Sequence, residues 1–334
     1  MLNTAAPHAQ NELPAQITSD WSGTDVASFD LLYTFPRIWT QKQSRVFGLY
    51  WSRELGQGKL YPTPTPQELN AFYDIETYDA YLSGNAAKSG TPPVWARLLR
   101  RLAWRQDDSE PPASRFLAER IAGTETVCDI GCGSGALLAD LHRLGCQPVG
   151  VDPSDVSIAA LERAGIRALH GTAEDLPVAL KDEQFDLVCM QQSLEHCLNP
   201  EQALRNLHGI CAEGGHCLIE VPNHENLGFW KYGPAWYHTD AGRHLHFFTA
   251  QSLTDLLRHV GFTPIHVGYL SYTRQFDPAW IIAMQEVWDS LYAAQETAPV
   301  PRPRISDTWR DFLAFPRTDK AKSYDVLRVY CAVT

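Results

Sequence analysis

A glycine-rich turn near the middle of the chain has the composition of a site for a nucleotide-like ligand. Asp129 ends the apolar run TVCDI, and Gly131, Gly133 and Gly135 follow it at alternate positions before a predicted helix. Glycine permits positive φ angles and close approach of the backbone to a ligand, and the first N–H groups of the helix can donate to it. With Ala136 the glycines also satisfy G-x-G-x-x-A, so taken alone they leave NAD and FAD open.

Two acidic residues favour an adenosyl ligand that carries a cationic amino group. The Asp129 carboxylate could hold such a group, whereas it would repel a pyrophosphate. Asp152 ends the next apolar run, PVGVD, and could accept the hydroxyl groups of a ribose, a feature that NAD shares. The segment GTAEDLP at 171–177 could contact an adenine edge. The alternative for Asp152 is that it merely caps the following helix, since Asp is a favoured N-cap residue.

Histidines at two places are candidates for the general base of a transfer reaction. His196 lies in the segment SLEH, and His238, His244 and His246 lie in a segment dense in aromatic residues. Histidine titrates near neutral pH, and both places follow predicted strands, on the side where open α/β sheets bind ligands. Period-2 alternation puts His244 and His246 on one face, and we favour His244 as the base. The alternative is that Glu195 and His196 anchor a helix while the other histidines fix their loop by hydrogen bonds.

Short apolar runs alternate with amphipathic helical segments from Thr126 onward, which predicts an α/β fold with a Rossmann-like, doubly wound and mostly parallel sheet. The predicted strands are TVCDI, PVGVD, RALHG, FDLVCMQ, HCLIEVP and TPIHVGYL. The last residues, DVLRVYCAV, also alternate in hydrophobicity, and they predict an antiparallel final strand beside TPIHVGYL.

The chain is predicted to have three parts. Residues 1–24 are polar and predict a flexible N-terminus, and residues 25–110 form an aromatic-rich accessory or lid segment that we expect to be helical. The ligand-binding domain spans 111–334, with insertions at 223–248 and 271–322. Long ordered loops in compact domains are often lids or binding loops. The candidate substrate-binding residues of the first insertion are Trp236, Tyr237, His238 and Arg243.

Composition argues against several classes of protein. The chain is 44% hydrophobic and 20% charged, which is typical of folded globular proteins. Its net charge of −11 disfavours nucleic acid as a partner. We find no signal peptide and no window approaching about 18 apolar residues, so we expect a cytoplasmic protein without a membrane partner. The eight cysteines include no C-x-x-C pair and are interpreted as reduced core residues.

Five segments together resemble the class I S-adenosylmethionine-dependent methyltransferases over about residues 112–270: DIGCGSG, VGVDPS, GTAEDLP, FDLVCMQQSLEH and LLRHVGF. The resemblance implies methyl transfer from S-adenosylmethionine, with S-adenosylhomocysteine as product, to an oxygen or nitrogen of a small metabolite. It also implies a set of cofactor-binding residues. They are Asp129, Gly131, Cys132, Gly133 and Gly135 around the methionine part, Asp152 and Pro153 near the ribose, Thr172, Ala173 and Glu174 near the adenine, and Met190 and Gln191 lining the pocket. The family often has Asp where this chain has Thr172.

Two departures from related proteins concern metals. Related quinone-precursor O-methyltransferases have a metal-associated carboxylate near the Glu-His pair, but Gln192 stands there in this chain, so we predict no metal. Residues 50–69 resemble the part of many bacterial relatives that carries a small zinc knuckle, yet they contain no cysteine. We interpret them as a zinc-free remnant whose aromatic residues form a lid or the surface of a possible homodimer. The alternative is simple core packing.

Two other functions compete with methyl transfer. A nicotinamide-dependent oxidoreductase shares the glycine pattern and Asp152, but Asp129 and the GTAEDLP and LEH segments argue against it. A non-catalytic protein could also have kept the cofactor fold, because fold does not fix function.

Overall fold

The structure is a computed structural model that describes residues 13–19, 27–35, 46–65, 67–69, 94–240, 242–293, 295, 297–315 and 319–333. The chain folds as two compact units. The accessory unit takes its residues from 1–103, 227–247 and 274–315, and the main unit takes its residues from 104–226, 248–273 and 316–334.

Within the described residues, bounds are defined for twelve strands and ten α-helices. The strands are β1 (Gln16–Ser19), β2 (Ala27–Phe35), β3 (Phe47–Ser52), β4 (Gln57–Tyr61), β5 (Thr126–Ile130), β6 (Gln147–Asp152), β7 (Arg167–His170), β8 (Phe185–Gln191), β9 (Cys211–Pro222), β10 (His246–Phe247), β11 (Phe262–Leu270) and β12 (Val326–Val333). The helices are α1 (Val94–Gln106), α2 (Ala113–Ala118), α3 (Ala136–Arg143), α4 (Asp155–Arg163), α5 (Pro200–Ile210), α6 (Leu227–Tyr232), α7 (Ala250–His259), α8 (Pro278–Tyr292), α9 (Thr308–Ala314) and α10 (Lys320–Ser323).

The main unit is built on a seven-stranded sheet with the order β11-β12-β9-β8-β5-β6-β7. Strands β5 to β9 pair in parallel, whereas β12 pairs antiparallel with both β9 and β11. The prediction of a doubly wound, mostly parallel sheet with an antiparallel final strand is therefore confirmed. The final strand lies beside TPIHVGYL, as expected, and its other edge pairs with β9.

Helix boundaries in the main unit follow local chemistry. Asn199 caps α5 by accepting a hydrogen bond from the Gln202 backbone N–H at 3.0 Å, and Pro200 occupies the first turn, where its missing N–H costs nothing. Thr249 and Ser252 form a reciprocal capping box at the start of α7. Helix α3 packs its stripe of leucines into the core of the main unit: Leu137, Leu138 and Leu141. Each of the eight cysteines is a buried, free thiol.

The accessory unit contains an antiparallel sheet of order β1-β2-β3-β4-β10. Its core is mostly aromatic and includes Phe35, Phe47, Trp51, Phe229, Trp236 and Phe247. The two segments predicted as insertions contribute residues 227–247 and 274–315 to this unit. Aromatic side chains fit the half-buried surface of a sheet, which explains why an aromatic-rich segment extends into strands.

The expectation of a helical accessory segment is wrong for residues 27–35, 47–52 and 57–61, which are strands. It holds for α1, which lies where apolar spacing predicted a helix, and residues 67–69 are helical too. The predicted flexible N-terminus also includes an exception, because Gln16–Ser19 pairs with β2. Residues 1–12, 20–24 and 70–93 lie outside the described residues. None of the helices in the described part of the chain has the length and apolar character that a bilayer crossing requires.

Candidate functional site

The glycine turn joins β5 to α3 at the carboxyl end of the sheet. The N–H groups of Gly131 and Cys132 donate to the Val151 carbonyl oxygen at 2.8 and 3.2 Å, which ties the turn to β6. Gly131 and Gly135 have φ angles of +74° and +71°, a region that favours glycine. A Cβ atom on Gly131 would lie 2.6 Å from the Ser193 Cβ atom, so the neighbouring segment also requires a glycine there. The turn is thus shaped by both backbone conformation and packing.

Replacing Gly135 by alanine should lower the free energy of unfolding by about 2–4 kcal/mol, because strain at positive φ adds to overpacking. The new Cβ atom would lie 2.2 Å from the Leu161 Cδ2 atom. Gly165 is the matched control, since its φ is +75° and no atom lies within 4 Å of its Cβ position. Gly165→Ala should cost about 1 kcal/mol, from backbone strain alone. Equal losses for the two variants in urea unfolding would show that packing against Leu161 contributes nothing.

Asp129 is a buried carboxylate that lacks a counter-charge. Its side chain is 3% exposed, and its Oδ1 atom has no hydrogen-bond partner among the described residues. Burial, reinforced by the carboxylates of Glu220 and Asp152, raises the pKa of Asp129 to about 7. A cationic group placed beside this oxygen would satisfy it and stabilise its charged form. The residue therefore fits the amino group of a methionine-type ligand.

Asp152 fixes the backbone of two segments, the glycine turn and the entry to α4. Its Oδ2 atom accepts a hydrogen bond from the Gly133 N–H at 2.8 Å, and its Oδ1 atom accepts one from the Ser154 N–H at 2.9 Å. The second bond orders the entry to α4, so Asp152 supports this helix although Ser154 is the N-cap residue. Pro153 between them is exposed. The side chain both shapes the glycine turn and presents acceptor oxygens at the end of β6.

The GTAEDLP segment is held by the Asn206 side chain of α5 and by the backbone N–H of the α5 cap residue Asn199. Thr172 accepts a hydrogen bond from the Asp175 N–H at 3.0 Å through its hydroxyl oxygen. The carbonyl oxygens of Ala173 and Glu174 accept from Asn206 at 2.8 and 3.0 Å. The Glu174 carboxylate accepts from the Asn199 N–H at 2.6 Å, and so it stabilises the start of α5. Because this carboxylate is already bonded to the Asn199 N–H, the structure disfavours the predicted contact of Glu174 with the adenine.

A buried ion pair between β9 and β12 was not predicted from the sequence. Gln191 donates to the Glu220 Oε2 atom at 2.7 Å, and Arg328 donates through Nε to the Oε1 atom at 2.6 Å. Arg328 is fully buried and also donates to the Pro111 carbonyl oxygen at 2.8 Å. Met190, the residue before Gln191, is buried in β8. The available signal was a charged residue within each of two apolar strands, LIEVP and VLRVY.

His196 lies in the main unit, close in sequence to residues that contact the glycine turn. It ends the short 3₁₀ helix Leu194–His196, in which Glu195 is fully buried. The Ser193 hydroxyl donates to the Ile130 carbonyl oxygen at 3.1 Å, which joins this segment to the end of β5. The His196 Nε2 atom is 3.9 Å from the Glu195 Oε1 atom, and its side chain is 25% exposed.

His244 and the predicted substrate-binding residues lie together in the accessory unit. The His244 Nδ1 atom is 2.8 Å from the His238 carbonyl oxygen. Since a carbonyl only accepts, Nδ1 carries the proton, and in the neutral ring the lone pair is on Nε2. Arg243 donates twice to the Asp240 Oδ1 atom, from Nε at 3.1 Å and from Nη2 at 2.8 Å. The structure thus gives His244 the tautomer that a base acting through Nε2 needs.

The remaining residues of this loop are engaged in packing. The His238 Nε2 atom is 3.0 Å from the Arg274 Nη2 atom, and because Arg only donates, this nitrogen accepts. Trp236 is buried in the aromatic core. Tyr237 stacks on Trp280 with ring centroids 3.9 Å apart. His246 is buried in β10.

The alternation proposed for the histidine segment agrees with the core of the accessory unit. Leu245 and Phe247 both belong to that core, which places them on one side of the segment. The cofactor-binding candidates, by contrast, all lie in the main unit with His196. The histidine-loop candidates, from Trp236 to His246, belong to the accessory unit.

Comparison with known proteins identifies the family of the chain. A family described as "Methyltransferase domain" matches residues 90–267, more than half of the chain. The ubiquinone biosynthesis O-methyltransferase of Ruegeria pomeroyi is 30% identical over 168 residues, which cover 44% of this chain and 66% of that protein. The protein of the same name from Cereibacter sphaeroides is 32% identical over 149 residues, which cover 41% and 60%. The chain thus spans less than two thirds of the length of these relatives.

Two solved structures are similar to the chain. The 4+2 cyclase SpnF is 19% identical with a TM-score of 0.50, and the match covers 81% of this chain and 98% of that one. The 1,6-didemethyltoxoflavin-N1-methyltransferase of Burkholderia thailandensis, whose crystal structure contains S-adenosylhomocysteine, is 16% identical with a TM-score of 0.47, covering 88% and 98%. At these identities the likeness to the cyclase concerns the fold alone.

Proposed function

Because the chain belongs to the methyltransferase domain family, we propose that it transfers a methyl group from S-adenosylmethionine to an oxygen or nitrogen of a small metabolite. The observation that carries this proposal is the buried Asp129 carboxylate, whose Oδ1 atom lacks a hydrogen-bond partner at the glycine turn among the described residues. The names of the two relatives favour oxygen as the methylated atom.

The residues of the main unit fit the cofactor. Bound S-adenosylmethionine supplies an electrophilic methyl group on a sulfonium. Asp129 would hold the ammonium of its methionine part, and Asp152 would accept hydroxyl groups of its ribose. The glycines let the backbone approach the ligand closely. The same Asp129 carboxylate would repel a pyrophosphate, which disfavours NAD.

His244 is our candidate for the base that takes the proton of the acceptor. The Nδ1 hydrogen bond to the His238 carbonyl oxygen orients the ring and leaves Nε2 as the basic atom. His244→Ala should lower turnover about 100-fold or more while the affinity for S-adenosylhomocysteine stays within about twofold. The measurement is initial rates on an acceptor found by screening, together with calorimetric titration of the variant.

His244→Asn is the matched control. Its amide keeps a donor near the Nδ1 position but cannot take up a proton, so this variant should be as slow as His244→Ala. Turnover near the wild-type rate in His244→Asn would mean that this histidine only fixes its loop. A large loss in His196→Ala instead would assign the base to the main unit.

The test of the proposed function is titration with S-adenosylmethionine, S-adenosylhomocysteine and NAD. Both adenosyl compounds should bind. Asp152→Ala should weaken their binding by about 10- to 100-fold, because hydrogen bonds to a charged group are lost. Asp152→Asn keeps one acceptor oxygen for the Gly133 or the Ser154 N–H, and it should weaken binding less. Binding of NAD alone would contradict the proposal.

A further inference from the structure

Helix α1 exposes several large apolar side chains, although a helix packed against a core normally exposes mostly polar residues. Its buried residues share one stripe: Ala96, Leu99 and Ala103. On other faces of the helix, Val94 is 72%, Leu98 52% and Trp104 71% exposed. Single exposed apolar residues are ordinary, but several on one short helix mark an interaction surface.

The same helix is strongly basic. The sequence VWARLLRRLAWRQ contains four arginines and no acidic residue, within a chain whose net charge is −11. All four are exposed: Arg97, Arg100, Arg101 and Arg105. Arg100 pairs with Asp277 at 3.0 Å. The positive charge is therefore concentrated locally, against the overall balance of the protein.

Charge and apolar surface coincide on the helix. Val94, Leu98, Arg101 and Arg105 are spaced by four, three and four residues, so they form one stripe opposite the buried one. Trp104 lies beside this stripe. An apolar and aromatic surface interleaved with arginine is complementary to the headgroup region of a bilayer that contains anionic lipid.

We propose that α1 docks on the surface of a bilayer containing anionic lipid, with its axis in the membrane plane. The arginines would contact lipid phosphates, while Val94, Leu98 and Trp104 would insert at the boundary between headgroups and acyl chains. This proposal departs from the expectation of no membrane partner, which rested on the lack of a spanning segment, because a helix that lies on a bilayer needs no such segment. Nucleic acid would also attract the arginines, but its phosphates would leave the aliphatic side chains without a partner.

Flotation of the full chain with vesicles tests this proposal. Vesicles of phosphatidylcholine and phosphatidylglycerol should carry the protein upward at low salt, whereas vesicles of phosphatidylcholine alone should not. Binding should fall at least about tenfold at high salt, since the charges are exposed. Arg97→Glu with Arg101→Glu should weaken binding about 100-fold or more, because reversing two charges makes the helix more negative by four units. Leu98→Asp should also weaken it, through loss of apolar burial.

Arg143→Glu with Arg163→Glu is the matched control, because it changes net charge equally on α3 and α4 and should retain binding. All substituted positions are exposed, so we expect melting temperatures close to that of the wild type. If the variant with Arg97→Glu and Arg101→Glu does not fold, Leu98→Asp provides the test. The proposal is overturned if the wild type does not float, or if the control and α1 variants lose binding equally.

Discussion

Arg328→Met should lower the free energy of unfolding by about 3–5 kcal/mol, because it leaves the Glu220 carboxylate buried without its counter-charge. Arg328 is fully buried, and its Nε atom is 2.6 Å from the Glu220 Oε1 atom. The pair joins β12 to β9, two inner strands of the sheet, and both residues are buried, so water cannot replace the lost partner. Urea unfolding of the purified variant measures this difference.

Two further variants distinguish the effect of breaking the buried pair from the general effect of losing an arginine. Arg258→Met removes the pair with Asp255, whose side chains are 60% and 57% exposed, and should change stability by less than about 0.5 kcal/mol. Glu220→Leu combined with Arg328→Met removes both charges and should cost less than Arg328→Met alone. A double variant as unstable as the sum of the two single variants would rule out coupling between these residues.

Asp129→Asn should have opposite effects on stability and on cofactor binding. Because burial raises the pKa of Asp129 to about 7, the folded state binds this proton more tightly than the unfolded chain, whose Asp pKa is about 3.9. Asp129 therefore contributes stability that is present in acid and is lost as pH rises from about 4 through about 7. Above this window the buried charge opposes folding, so Asn should stabilise the ligand-free protein at alkaline pH by about 2–4 kcal/mol. Below about pH 4, where this carboxyl group is protonated in both the folded and the unfolded state, the two proteins should differ little.

The same substitution should weaken the binding of S-adenosylhomocysteine about 100-fold or more, because the ammonium group of this ligand loses a buried charge partner. Binding to the wild type should take place with release of a proton near neutral pH, since the ammonium lowers the pKa of the carboxyl group. Titrations in buffers of different ionisation enthalpy measure that proton. Asp140→Asn on the exposed face of α3 is the control and should change neither quantity. Unchanged affinity in Asp129→Asn would remove this carboxylate from the cofactor site.

Local patterns in the sequence were enough to predict most of the main unit. Strands buried on both faces appear as short apolar runs, and the glycine turn needs glycine for reasons that involve only a few neighbouring residues. Asp129, Asp152 and Met190 are accordingly found at or near strand ends of the sheet, as predicted. The accessory strands were missed because an aromatic-rich segment has no strict period, and its β structure depends on pairing between β2, β3, β4 and β10.

The sequence by itself determined the doubly wound sheet, its antiparallel final strand and the glycine turn, since each follows from periodicity or from the conformational freedom of single residues. Only the tertiary structure decided which polar side chains pair. Arg328 meets Glu220 through the register of β12 on β9, and Glu174 meets the start of α5 across a gap of 25 residues. Such pairings depend on strand order and packing, which bring together residues that no local pattern connects.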